Sequence, residues 1–263
     1  MQKIKSYNAF SVLEVVIVLT SIAILMVMVM SANKLFFDTK LKLTYKEFAN
    51  IESLSDKFFT LYDQLPGDFD NASEFWSSEV ANCTNDAAPD GCDGNNNGFI
   101  DTYDESYRFW QHLYLADLID YAYIGAKADG TESAVAYTNS DNSQKSNYFD
   151  NGFFFIGSDN LANIFEPPYG NRIYLDKTIY GYFRTDRGLT SASEALAFDI
   201  KFDDGKPRTG KLNSETFYNL DNNQAAPYCT NLGSSGSTVF ADIVADTYNT
   251  DNDKNVCRLI YKF

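Results

Sequence analysis

Histidine is almost missing: His112 stands alone among 263 residues. A zinc enzyme built on histidine ligands is therefore excluded, and any Ser-His-Asp or Cys-His catalysis would have to run through that one ring. Basic residues are scarce too, 21 Lys+Arg against 36 Asp+Glu, for a net charge of −15. Such a chain lacks the basic face that a phosphate backbone demands, so a nucleic-acid partner is not expected. Neither proline nor glycine occurs before Pro66, so nothing in the first 65 residues interrupts a helix. None of the four cysteines forms a C-x2-C pair, which argues against a structural zinc site.

What is abundant is equally directive. Asp outnumbers Glu by 26 to 10 and there are 24 Asn, an Asx excess that builds turns and oxygen-rich cation sites. Aromatics at 16 %, mostly Tyr and Phe, favour strands in the remaining mass. The length allows one large domain or two small ones.

Phe10 to Ala32 is a 23-residue apolar run. As a helix it spans roughly 34 Å, enough for a hydrocarbon core of ~30 Å. Lys3 and Lys5 precede it and keep that side cytoplasmic, so the bulk of the chain is exported. A cleaved secretory signal would have a shorter apolar segment and a better cut site than Val29-Met30-Ser31. A plain signal anchor leaves Glu14 unexplained, because an acid inside an apolar span is expensive and marks function by default.

The residues Ala9-Phe10-Ser11-Val12-Leu13-Glu14, followed by Val-Val-Ile-Val-Leu-Thr, resemble the N-terminus of type IV pilins and type II secretion pseudopilins. The resemblance implies that a prepilin peptidase cuts between Ala9 and Phe10 on the cytoplasmic side and N-methylates Phe10. Residues 1–9 are then a leader. Glu14 would be the family glutamate that neutralises the N-terminal amine of a neighbouring subunit. Two departures stand out. Ala9 replaces the usual Gly before the cut, which keeps the small size. The region Met30-Ser31-Ala32 lacks the proline that breaks the membrane helix of many major pilins, which points to a minor subunit.

Helical periodicity continues beyond the span. Phe48, Ile51, Leu54, Phe58 and Leu61 recur at three- and four-residue spacing, and Pro66-Gly67 ends the element. Residues 10–32 are the membrane or filament-core half and 33–65 the amphipathic half, with 66–263 a globular domain. Leu65-Pro66-Gly67-Asp68 reads as a turn into a short helix near Trp76, and resembles a segment of a large-pilin subgroup. Glu105 to Ile119 reads as a helix, and residues 125–150 as a polar surface loop. Strand-like runs follow at 153–156, 172–175, 178–184, 196–202, 239–244 and 257–262. Asp203-Asp204-Gly205-Lys206-Pro207 is expected as a turn between two strands, and the stretch ending at Gly210 also resembles that subgroup.

The sharpest local motif is Asp93-Gly94-Asn95-Asn96-Asn97-Gly98-Phe99-Ile100-Asp101-Thr102-Tyr103-Asp104, which fits the calcium-loop pattern D-x-[DN]-x-[DN]-G. Asp93, Asn95 and Asn97 offer side-chain oxygens, the Phe99 carbonyl a backbone oxygen, and Asp101 a direct or water-bridged ligand. Asp104 holds the twelfth position, where Glu is usual; either Asp104 binds with a shorter reach or Glu105 takes over after a slight register change. With so few carboxylates the affinity should be modest, in the ~10⁻⁴–10⁻³ M range. Asp246, Asn249, Asp251 and Asp253 form a second oxygen-rich group, better read as a solvated turn. His112, beside an apolar helix face, reads as structural. Arg258 and Lys262 read as a solvated basic pair.

Export into an oxidising compartment makes disulfides the expected state of the cysteines, with three connectivities open. The favoured set is Cys83–Cys92, bracing the loop, with Cys229–Cys257, which resembles the C-terminal disulfide region of many pilins. The expected fold is α+β, a long N-terminal helix packed on an antiparallel sheet with inserted Asx-rich loops. The expected function is non-enzymatic. The chain reads as a structural subunit, most simply a minor one, of a type IV pilus or type II secretion pseudopilus. Its partners are the inner membrane, prepilin peptidase and other pilin or pseudopilin subunits. A tip-located adhesin or binding module on the same anchor, or a plain membrane-anchored calcium-binding domain, are the alternatives.

Overall fold

The computed structural model describes residues 11–76, 83, 92–125, 141–158, 170–177, 188–216, 228–231, 245–251 and 255–263. The expected strands at 178–184 and 239–244 lie outside them. The chain divides into two units, residues 1–43 and 44–263.

Helix α1 (Val12–Tyr62) holds the first unit's residues from Val12 onward. Its start is capped locally. Ser11 Oγ accepts the Leu13 N–H at 3.2 Å and Glu14 Oε2 accepts the Ser11 N–H at 2.8 Å, a reciprocal arrangement that serves two orphan donors. From Val12 to Met30 the large apolar side chains are exposed. The hydroxyls in this stretch bond back to the helix itself, Thr20 and Ser21 to the Ile17 carbonyl and Ser31 to that of Val27. The segment has a mean hydropathy of 2.8 and is long and apolar enough to cross a membrane.

In the second unit, the Thr44–Tyr62 part of α1 lies on a four-stranded antiparallel sheet of order β1-β2-β4-β3. The strands are β1 (Gly152–Ser158), β2 (Asn171–Lys177), β3 (Leu212–Thr216) and β4 (Cys257–Lys262). Pairing sets Phe154 against Leu175, Ile173 against Tyr261 and Leu212 against Tyr261, so alternate residues share the helix-facing side. Phe48 is the keystone of that interface. Its ring lies 5.4 Å from those of both Phe154 and Tyr261 and 6.4 Å from that of Phe198. Phe48, Ile51 and Phe58 are fully buried and Leu54 is buried, as the three- and four-residue spacing required, but Leu61 at the end of the stripe is exposed. Polar clamps fix the register. Glu47 accepts from Ser146 Oγ at 2.7 Å and from the Asn147 N–H at 2.8 Å, and Glu52 accepts from Tyr261 Oη at 2.6 Å and Lys211 Nζ at 2.8 Å.

α1 ends at Tyr62, where Asp63 turns left-handed with φ 57° ahead of Pro66. Helix α2 (Ala72–Trp76) follows, and α3 (Tyr103–Leu115) is shorter than its apolar face suggested. A Schellman close stops it: Leu118 N–H bonds to the Leu113 carbonyl and Asp117 N–H to that of Tyr114, with Asp117 at φ 54°.

Two expectations are corrected, and one strand was not expected at all. The supposed strand at 196–202 is helix α4 (Ala192–Phe202). Ser191 and Glu194 form a capping box, and Ala192, Ala195, Phe198 and Asp199 are buried at helical spacing. Strand β3 had no expectation, because Leu-Asn-Ser-Glu-Thr reads as polar, yet all its described side chains are buried. Of the expected surface loop at 125–150, residues 126–140 lie outside the described residues, and 141–150 are only partly exposed. Asn142, Ser143, Ser146 and Phe149 are buried, and Lys145 bridges to Phe153 beyond the edge of β1.

Arg258 is also not solvated. It pairs with Glu215 on β3 and lies 4.8 Å over the Tyr174 ring.

Candidate functional site

Ala9 and Phe10 lie outside the described residues. Glu14 sits in the first turn of α1, its carboxylate held at the Ser11 amide. It is the acid in an otherwise uncharged apolar stretch from Val12 to Met30.

The Asx-rich loop is built around the Pro66-Gly67-Asp68 turn. Both Asp68 oxygens hold it: Oδ1 accepts the Asn97 N–H at 3.0 Å and Oδ2 the Gly98 N–H at 2.8 Å. Asp68 is buried, and burial pushes its carboxyl up, partly offset by those amides. Gly94 packs so closely on this turn that a Cβ there would fall 2.3 Å from the Asp68 carbonyl carbon. The Cys83–Cys92 disulfide closes the other side, with Cα atoms 4.6 Å apart. His112 ties the pieces together, taking the Gly67 N–H on Nδ1 and donating from Nε2 to the Cys92 carbonyl, both at 2.8 Å. This is a structural role, as expected. Burial drives its pKa down to about 3 and keeps it neutral.

The structure joins four of the seven proposed ligands in two hydrogen-bonded pairs. Asn95 Nδ2 donates to Glu105 Oε1 at 2.5 Å and Asn97 Nδ2 to Asp101 Oδ2 at 3.0 Å. Asn97 Oδ1 accepts the Phe99 N–H at 2.8 Å. Glu105 rather than Asp104 faces the loop, its Oε2 taking the amides of Asp101 and Thr102 while Thr102 caps α3. Desolvation lifts Glu105 to about 6, with Asp101 and Asp68 adding repulsion. Asp104 instead contributes to the field on Arg108, whose guanidinium donates to the Asp93 carbonyl at 2.6 Å. Asp93 is placed elsewhere. Both its oxygens take Ser73, one the N–H and one the Oγ, each at 2.7 Å. The sequence pattern therefore identified the loop but not the orientation of its first residue.

A different acidic group was missed. The carboxylates of Asp199, Asp203 and Asp204 offer oxygens within 4.8 Å of one another and could hold a metal ion. Asp199 lies in the last turn of α4, so the spacing to Asp203 is one helical turn, a relation hidden while the segment was read as a strand. Its Oδ2 accepts from Tyr248 Oη at 2.7 Å and its Oδ1 from the Gly205 N–H at 2.9 Å. Asp203 Oδ2 takes the amides of Lys211 and Leu212. A Cβ at Gly210 would sit 2.2 Å from that same oxygen, which accounts for glycine there. Burial and the neighbouring Asp204 and Asp203 raise Asp199 to about 7. The other oxygen-rich group is used differently: Asp246 is buried in an ion pair with Arg208 at 2.6 Å, and Asp253 lies outside the described residues.

The second disulfide joins Cys229 to Cys257 with Cα atoms 5.0 Å apart, fastening the 228–231 segment to β4. Comparison with family models, curated proteins and solved structures gives no match to this chain.

Proposed function

We propose that this chain is a membrane-anchored structural subunit, most simply a minor one, of a pilin- or pseudopilin-type filament. The observation that carries the reading is Glu14, an acid four residues beyond Phe10 at the head of a long apolar helix. Apolar helices can leave lipid for a bundle of like helices at little cost, because their side chains stay in an apolar setting. A carboxylate is expensive in both settings unless paired. Among the described residues Glu14 accepts from the neutral Ser11 amide, which brings no positive charge to it. The N-terminal amine of a neighbouring subunit would supply the missing charge and reward correct register. The exported unit, braced by two disulfides, is the cargo presented by that helix.

Calcium in the 93–105 loop is a further part of the reading. Asn95, Asn97, Asp101, Glu105 and the Phe99 carbonyl are hard oxygen donors of the kind calcium takes, and the amide hydrogens of Asn95 and Asn97 now offset the carboxylates that a cation would neutralise.

Mass spectrometry of the membrane-extracted protein tests the filament reading. The expected chain begins at N-methylated Phe10. A mature start near Asn33, or an intact Met1 in cells with active prepilin peptidase, would leave the plain anchor as the better description.

A further inference from the structure

From the contacts around Asn97 and Gly98, we infer that this pair is a self-modifying site, at which Asp68 acts as base to close a succinimide that opens to aspartate or isoaspartate. The inference rests on loop geometry and is independent of the filament reading.

Three groups converge on the reacting atoms. The Gly98 N–H, the nucleophile, points at Asp68 Oδ2 at 2.8 Å. The Asn97 side-chain carbonyl, the electrophile, is polarised by the Phe99 N–H at 2.8 Å. The Asn97 Nδ2, the leaving group, rests on Asp101 Oδ2 at 3.0 Å. The site is open: Asn97 and Gly98 are exposed, and a Cβ built at Gly98 would meet nothing within 4 Å. Glycine at this position gives the ring-closing nitrogen no side chain to hinder it.

The chemistry balances without an outside reagent except water. The Gly98 nitrogen gives its proton to the Asp68 carboxylate and bonds to Asn97 Cγ. The resulting oxyanion is held by the Phe99 N–H, as in an oxyanion hole. Collapse breaks the Cγ–Nδ2 bond. The proton returns from Asp68 by way of water to the leaving nitrogen, and ammonia departs. Water then opens the imide at either carbonyl, giving aspartate or isoaspartate at position 97, with Asp68 regenerated. The product adds a carboxylate to a loop that already carries Asp101 and Glu105.

The chain contains its own control, the second Asn-Gly pair at Asn151–Gly152. There the Gly152 N–H faces the Phe149 carbonyl at 3.0 Å, which cannot take a proton, and a Cβ would meet Phe149 and Leu175 at 3.0 to 3.3 Å.

The test follows both pairs by peptide mapping in the full detergent-solubilised chain, held at neutral pH in chelator. A positioned base contributes roughly a hundredfold or more. Asn97 should therefore convert at least about a hundredfold faster than Asn151 in the folded chain, and faster than Asn97 itself in guanidinium, with isoaspartate among the products. Asp68→Asn should bring the folded rate down to the unfolded one, with far-UV circular dichroism reporting that the chain is still folded. A folded rate at Asn97 equal to or below the unfolded rate in the unaltered chain overturns the proposal, whatever the variant does. An unchanged rate in folded Asp68→Asn, or aspartate as the sole product, overturns it as well.

Discussion

His112 and Gly67 are joined by a 2.8 Å hydrogen bond across 45 residues of sequence, ring nitrogen to backbone amide. The bond fixes the tautomer. Nδ1 must be bare to accept from Gly67, so the proton sits on Nε2 and goes to the Cys92 carbonyl. The ring also stacks on Phe58 of α1, 6.0 Å away. One neutral side chain thus joins the turn after α1, the disulfide loop and α3.

Acid should undo this joint. The folded pKa of about 3 lies below the ordinary histidine value near 6.5, so the unfolded chain binds the extra proton first. Its contribution is complete above pH ~6.5 and falls as pH drops toward 3, by at most about 1.4 kcal/mol per unit. His112→Ala should cost roughly 3 kcal/mol at neutral pH, through a cavity and two orphaned backbone groups, and should flatten the acid slope. Urea midpoints at several pH values check both. A variant with an unchanged acid slope would show that histidine protonation is not what the slope reports.

Asp199 should act with the opposite sign. Its folded value of about 7 stands above the ordinary carboxylate range, so its protonated form is favoured by folding. The stability it contributes is fully present below pH ~3.8 and is lost as pH rises through 7. Asp199→Asn cannot ionise, so the difference between wild type and variant should change across that window and level off outside it. A metal ion seated between Asp199, Asp203 and Asp204 would reduce the wild-type loss at high pH. Parallel stability curves for the two proteins between pH ~4 and ~8 would show that Asp199 ionises normally.

Glu14 makes two separable contributions, a helix cap and a negative charge. Glu14→Ala removes both and Glu14→Gln keeps the acceptor for the Ser11 amide while losing the charge. Membrane insertion and cleavage should survive either change, since each makes the span less polar. Incorporation into sheared filaments should fail in both. Normal incorporation of Glu14→Gln would assign Glu14 to the cap alone, which is worth only ~0.5–2 kcal/mol.

Much of the fold was legible because it rests on periodicity. Phe48, Ile51 and Phe58 announced the buried face of α1, and the short apolar and aromatic runs of β1, β2 and β4 announced strands. What was missed rests on polar residues. α4 is declared by Ser191 and Glu194, a capping pair that an apolar scan passes over, and β3 is a polar strand whose Asn213 is buried beside Arg172. The site divides in the same way. Spacing located the Asx loop, but only tertiary structure could show Asp68 arriving from a turn 29 residues before Asn97. It also turned Asp93 toward Ser73.

That placement of Asp93 sharpens the calcium test. The detergent-solubilised chain should gain thermal stability as calcium rises through the millimolar range, the affinity expected of a loop with few carboxylates. A hundredfold excess over the dissociation constant is worth ~2.7 kcal/mol by linkage. For a domain of this size that shifts the unfolding midpoint by several degrees, at ~2–4 °C per kcal/mol. Magnesium should do less, because it sheds water reluctantly and demands octahedral geometry. The gain should shrink below pH ~6, where Glu105 holds its proton and offers calcium one charge fewer. Asp101→Asn should abolish most of the shift, since Asp101 is an exposed loop carboxylate whose loss leaves the core intact. Asp93→Ala should behave differently. It should lower the midpoint equally in chelator and in calcium, because it removes the two bonds to Ser73 and not a ligand. Loss of the calcium shift in Asp93→Ala would return that residue to the coordination set. A midpoint identical in chelator and in large calcium excess would reduce the whole loop to an Asx-rich turn pinned by Asp68.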